Sequence, residues 1–183
     1  MSERDALLAL LHARSIRFGD FILASGERSS FYIDARRTTM AAEGLELIGR
    51  LGLRAIRAAS WEPAAIGGLT LGADPVAYAV AMASRQAGPV IEAFSVRKEP
   101  KSHGTRRRIE GNFTSGDAVV VAEDVITTGG SALRAIEAVQ EEGGTVLGVL
   151  AVVDRMQGGM EAIAETGVPV ASLVTAADLG LRG

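Results

Sequence analysis

The chain has 183 residues, 48% hydrophobic and 22% charged, enough for one folded domain with a real core and unlike a disordered chain. It has no cysteine and only two histidines, His12 and His103, which excludes disulfides, thiolate metal sites, cysteine nucleophiles and histidine-rich metal centres. The net charge of −3 disfavours a general nucleic-acid binder, no apolar run nears the ~18 residues of a spanning helix, and Glu3 and Asp5 stand where a signal peptide is basic, so the expectation is a soluble cytoplasmic protein that engages neither nucleic acid nor membrane.

Ser2 and Asp5 have capping-box spacing ahead of Ala6, Leu7, Leu10 and Leu11, which predicts a helix over residues 2–14, with His12 on its surface. Residues 16–35 read as extended, two strand-like runs at 21–23 and 31–33 flanking a turn at 25–30. Leu45, Ile48, Leu51 and Ile56 form one stripe of a helix within 40–59, and Trp61 reads as a loop plug. A short strand over 64–69 enters a glycine-rich turn. Asp74 and Pro75 suit the N-cap and first position of a helix to about residue 86, on which Tyr78 and Met82 read as core.

A strand over 90–96 runs into a basic stretch, and the apolar run 118–122 reads as a strand buried on both faces. Leu133, Ile136 and Val139 point a helix over 131–142 inward, and Gly143 and Gly144 stop it. A strand over 145–153, a short helix and a strand over 168–174 complete the chain. Strands alternating with helices from about residue 40 predict an α/β fold around a parallel sheet. The N-terminal helix and hairpin stand outside that alternation and suit a small cap over the sheet's ligand-binding edge.

Two segments carry chemistry. Glu123 and Asp124 end a buried strand, and Thr127, Thr128, Gly129, Gly130 and Ser131 then offer hydroxyls and backbone N–H groups at a helix N-terminus, an arrangement suited to phosphate. Carboxylates would repel that phosphate, so they suit the hydroxyls of an attached ribose; the plainer reading is a solvated helix cap. Neither G-x-x-x-x-G-K-[ST] nor G-x-G-x-x-G is present. The second segment holds Arg97, Lys98, Lys101, Arg106, Arg107 and Arg108 against the single acid Glu99, a local charge of +5 in a chain otherwise at −8. Like charges at that density repel, so the stretch suits a mobile lid that a polyanion closes; the alternatives are a solvated turn or a nucleic-acid patch, the latter without interleaved aromatics.

Residues 119–131, Val-Val-Val-Ala-Glu-Asp-Val-Ile-Thr-Thr-Gly-Gly-Ser, resemble the phosphoribosyl pyrophosphate (PRPP) signature of type I phosphoribosyltransferases. Residues 21–36, 67–76, 96–104 and 108–111 resemble the N-terminal segment, pyrophosphate loop and catalytic loop of the orotate phosphoribosyltransferase family. The resemblance implies a type I phosphoribosyltransferase fold in a single domain over 1–183. Its hood would take about residues 1–38 plus the C-terminal end, its core about 40–160, and its mobile catalytic loop 97–110.

It further implies transfer of the phosphoribosyl group from PRPP to N1 of orotate, with Mg2+ held through PRPP and water and without direct protein ligands. Lys101 and His103 are the implied catalytic residues, and Arg97 and Lys98 join them on the pyrophosphate. Glu123, Asp124, Val125, Ile126, Thr127, Thr128, Gly129, Gly130 and Ser131 are implied to hold PRPP, and Thr127, Arg155, Phe31 and Tyr32 orotate. Arg155 alternatively makes a surface ion pair with Asp154, and Phe31 is alternatively core. A homodimer sharing its catalytic loop between subunits is implied.

The chain departs from the family pattern at Ala24, where many members have lysine, and at Thr70 and Leu71, where some have a tyrosine–lysine pair. Backbone amides of residues 67–72, with glycines that admit a phosphate, are the expected substitute, and an unusual, cis peptide is expected near residues 69–71. A phosphoribosyltransferase for another base and a non-catalytic PRPP sensor that regulates transcription are the competing readings; the second lacks a spare domain or basic face.

Overall fold

In the computed structural model, which describes residues 1–22, 28–99 and 108–181, the N-terminal helix α1 (Glu3–Arg14) starts at the capping box. Asp5 N–H donates to Ser2 Oγ at 3.1 Å and Ser2 N–H to Asp5 Oδ2 at 3.0 Å, satisfying two amides at the helix end. Leu7, Leu10 and Leu11 are its buried stripe and His12 is exposed. Strands β1 (Ile16–Ile22) and β2 (Arg28–Ile33) pair antiparallel as a separate two-stranded sheet. A four-residue helix α2 (Arg36–Thr39), absent from the sequence reading, joins it to α3 (Ala42–Ala58).

Then follow β3 (Ala65–Leu69), α4 (Ala73–Ala87), β4 (Glu92–Val96), β5 (Ile109–Gly111), β6 (Ala118–Ile126), α5 (Gly130–Glu141), β7 (Thr145–Asp154), α6 (Gly159–Ala164) and β8 (Val170–Thr175). Among the described residues the main sheet has six strands in the order β5-β4-β3-β6-β7-β8, all parallel except the short edge strand β5. The uninterrupted apolar run of β6 is explained by two cores. Val119 and Val121 face α5, whereas Val120 and Ala122 face the layer of α1, α3 and α4.

Order along the sheet places the ligand edge. From β3 the chain moves outward to β4, then crosses to β6 on the other side, with α4 and α5 packed on opposite faces. The carboxyl ends of β3 and β6 therefore part into a crevice, where open α/β sheets bind ligands. The two sides touch there: a Cβ added to Gly72 would lie 2.5 Å from Asp124 Oδ1. The peptide bond between Thr70 and Leu71 is cis, as expected, and Thr70 N–H donates to Val96 O at 2.9 Å.

Four expectations are corrected. Gly72 precedes α4 and Asp74 lies inside it, its Oδ1 accepting from Ser95 Oγ at 2.7 Å rather than capping the helix. Tyr78 and Met82 are 52% and 65% exposed, because no described element covers that face of α4. Gly67 and Gly68 belong to the fully buried β3, where a Cβ would strike the Phe94 and Ala122 carbonyls, so sheet packing and not phosphate approach explains them. Strand β6 runs to Ile126, so Glu123 and Asp124 lie at its carboxyl end and are not the solvated helix cap of the plainer reading. Trp61 does act as a plug, its ring filling the space that a Cβ on Gly148 would need.

The ends of the chain meet. Arg4 Nε donates to Leu173 O at 3.2 Å and Arg4 pairs with Asp178, while Leu179 and Leu181 are buried in the α1 layer. At the base of the basic stretch, Arg97 N–H donates to Arg108 O at 2.8 Å, and the amides of Arg108 and Ile109 both donate to Glu142 Oε1. A Gly67→Ala substitution is expected to cost about 1–3 kcal/mol, because the new methyl meets strand backbone that cannot yield. Urea unfolding checks this; a midpoint within error of the parent would contradict it.

Candidate active site

The carboxyl end of β6 delivers Glu123 and Asp124, and the chain then turns through residues 127–129 into α5. Gly129, at φ +82° before the first helical residue, makes that turn possible. Gly159 of α6 backs the turn so closely that a Cβ there would lie 2.6 Å from Ile126 Cγ2 and 2.8 Å from the Gly129 nitrogen. The result is a pocket of about 300 Å³, lined by Glu123, residues 125–131 and Arg134. Backbone N–H groups, hydroxyls and a helix N-terminus around such a space make an anion site.

Glu123 is 6% exposed, and its Oε2 is buried with no hydrogen-bond partner. Burial, then the charge of Asp124, pushes its carboxyl well above the ordinary 4.5. Asp124 bonds locally, Val125 N–H donating to its Oδ1 at 2.9 Å, and its carboxylate lies over Gly72. Glu123 thus borders the pocket with an unpartnered carboxyl oxygen, and Asp124 stands next to it in the strand, an arrangement suited to vicinal hydroxyls.

Beside them, β7 ends at Asp154, paired with Ile126, and Arg155 N–H donates to Ile126 O at 2.9 Å. Arg155 is therefore fixed against the start of the turn into α5. It is 8% exposed, and its Nε and Nη2 are buried without hydrogen-bond partners. The surface ion pair with Asp154 does not form: Asp154 is itself buried, its Oδ1 accepting from Met156 N–H at 2.8 Å. Burial lowers the guanidinium's pKa and nearby Tyr32 opposes that shift, while arginine's high intrinsic value keeps it cationic.

Nε and Nη2 are the two donors of one guanidinium edge, so a carboxylate in its plane satisfies both. Phe31 is 4% exposed with its ring centroid 5.0 Å from Arg155 Cζ, and Tyr32 is 39% exposed on the hairpin. The β1–β2 sheet thus reaches the same crevice.

Arg97 and Lys98 stand exposed beyond β4, with Arg97 Nη1 3.6 Å from Glu110 Oε1, a surface pair of little energetic weight. Lys101, His103 and Ala24 lie outside the described residues. Two cations were missed by the sequence reading. Arg134 borders the pocket 3.5 Å from Ser131 Oγ, and its i+3 spacing from Ser131 was the available signal. Arg36 donates from Nε to Asp34 Oδ1 at 2.9 Å and also feels the charge of Asp124, an approach that depends on α2 and left no local pattern.

The pH response of Glu123 follows from its raised pKa. As pH rises past 4.5 the unfolded chain releases this proton while the folded one keeps it, so the carboxyl destabilises the fold progressively until the folded value is passed. Glu123→Gln is expected to raise the thermal midpoint at pH 7, by roughly 2–4 °C per kcal/mol recovered. It should also reduce the loss of stability as pH rises above 4.5. A variant less stable than the parent at pH 7 would contradict the assignment.

Comparisons with known proteins bear on this arrangement. No family model matches the chain. It is 46% identical over 182 residues to the orotate phosphoribosyltransferase of Aquifex aeolicus, covering 98% of each. The crystal structure of Mycobacterium tuberculosis orotate phosphoribosyltransferase with Fe(III) dicitrate superposes at a TM-score of 0.88, with 46% identity over 98% of this chain and 100% of that one. The same enzyme's complex with PRPP gives 0.83, at 42% identity and the same coverage.

Proposed function

The chain belongs to the orotate phosphoribosyltransferase family, and from that premise we propose how its crevice joins PRPP to orotate. Orotate N1 attacks ribose C1′, the bond to pyrophosphate breaks, and the products are orotidine 5′-monophosphate and pyrophosphate, a step of pyrimidine (UMP) biosynthesis. The observation that carries the reading is the unpartnered edge of Arg155, buried beside an anion pocket and two acids. A carboxylated base, a ribose and a 5′-phosphate together satisfy all three, whereas an uncharged base leaves the arginine edge unmet.

Residues 127–131 and Arg134 hold the 5′-phosphate, Glu123 and Asp124 the ribose hydroxyls, and Arg155 the orotate carboxylate, with Thr127 and Tyr32 beside the base. Arg97, Lys98, Lys101 and His103 meet the pyrophosphate. The transition state places positive charge on the sugar and negative charge on the leaving oxygens. Positioning and fixed charges, rather than a covalent intermediate, then lower the barrier. His103 has a side chain that titrates near neutrality and is suited, with Lys101, to protonate the leaving group.

Glu123 and Asp124 offer hard oxygens to the water shell of a magnesium ion, which would be held through PRPP. Bound through PRPP oxygens and water, the ion would offset charge on the departing pyrophosphate. A cytoplasmic location suits the substrates, and among the described residues no helix is long and apolar enough to cross a membrane.

We also infer a homodimer with the basic loop shared between subunits. Its support is the exposed i,i+4 pair Tyr78 and Met82 on α4, with Leu71, 65% exposed, at the turn before that helix. Tyr78 O–H bonds Ser95 Oγ at 3.0 Å, which ties this face to the strand that launches the loop.

Orotate consumption, followed by ultraviolet absorbance with PRPP and Mg2+, tests the activity. Loss of orotate but not of uracil or adenine, dependent on both additions, is the expected result; consumption of an uncharged base instead would overturn it. For the shared loop, Lys101→Ala subunits are inactive alone, with turnover down about 10²-fold or more. Mixed with subunits disabled at Asp124 they should recover part of the activity. Verified heterodimers that stay inactive would mean that the loop serves its own subunit.

A further inference from the structure

Phe31 stands apart from the residues that line the crevice. It belongs to the β1–β2 hairpin, outside the main sheet, yet its side chain is nearly inaccessible and its ring lies 5.0 Å from the Arg155 carbon that joins the three guanidinium nitrogens. Its main chain is held by Ser29, whose Oγ donates to Phe31 O at 2.7 Å. Its partner across the hairpin is Phe18. Arg155 is held from the other side by its own N–H on Ile126 O. The contact is thus a bridge between two elements that are fixed independently.

A guanidinium has two faces and one rim of donors. A ring packed against the guanidinium carbon restricts how the group can turn, while its donors stay free for other partners. At Arg155 two of those donors, Nε and Nη2, are without a hydrogen-bond partner. Neither is used by protein, so nothing else sets the plane of the group through a hydrogen bond from those two atoms. At 4% exposure, the ring has little surface left for a second stacking partner.

We propose that Phe31 is a positioning residue that fixes the plane of the Arg155 guanidinium against the base carboxylate, and so acts on base recognition through Arg155 rather than by touching the base. This rests on the reading of Arg155 as the carboxylate site.

The test is a double-substitution cycle read by calorimetric affinity for orotidine 5′-monophosphate, with ribose 5-phosphate as the ligand that lacks a base. Phe31→Leu keeps an apolar side chain of similar reach and removes the aromatic face. It should weaken orotidine 5′-monophosphate roughly fivefold to tenfold, the size of a desolvated cation–π contact, and leave ribose 5-phosphate within twofold. In an Arg155→Ala background the same substitution should have no further effect, because residues that act through one another are not additive.

An equal loss in both backgrounds would show the ring acting on the base itself and overturn the proposal, as would unchanged affinity in Phe31→Leu. Weakened binding of ribose 5-phosphate would also overturn it, by showing general damage to the fold. If Arg155→Ala alone binds orotidine 5′-monophosphate like the parent, the carboxylate reading fails and the proposal falls with it; that result is distinct from the additive one. Should Phe31→Leu not fold, Phe31→Met, which fills the space without a π face, carries the same comparison.

Discussion

Two buried side chains with unpartnered polar atoms, Glu123 and Arg155, impose the main constraint on this fold. A buried group that lacks a hydrogen bond costs stability, more so when it is charged, and the cost persists only where the surrounding structure holds the group in place. Here the holding is done by strands buried on both faces. Glu123 is part of β6 and Arg155 follows directly on β7, its neighbour, so neither backbone can swing its side chain out to water. On the proposed reading, the sugar hydroxyls meet Glu123 and the carboxylate of the base meets Arg155.

The crevice also explains why the site is assembled from distant segments. The switch in strand order between β3 and β6 opens the edge, the turn into α5 gives the amides, and the turn into α4 closes against Asp124 through Gly72. The hairpin then covers the far side through Phe31 and Tyr32. Each contribution is small, yet together they place an anion pocket, two acceptors and a planar cation along one sheet edge. Such preorganisation is the protein's part in a reaction whose charge develops on the substrates.

Much of this was legible in the sequence because its signals are local. The apolar run 118–122, the acids after it and the hydroxyl–glycine turn lie within fourteen consecutive residues, and the capping box of α1 within four. What was misread depends on partners far along the chain. Spacing put Tyr78 and Met82 on one helix face but could not say whether anything covers it. Gly67 and Gly68 looked like ligand glycines until Phe94 and Ala122 were found against them. Asp74 had a cap residue's chemistry but found Ser95, 21 residues away, instead. Strand β5 has three residues and exists through pairing with β4, which no local pattern announces.

The measurement that tests the central claim most directly is a crystal structure of the protein with orotidine 5′-monophosphate. The account predicts the phosphate on the amides of residues 127–131, the ribose hydroxyls on Glu123 and Asp124, and the base carboxylate on Nε and Nη2 of Arg155. A product bound with its carboxylate turned away from Arg155, or with its phosphate outside the α5 turn, would contradict it.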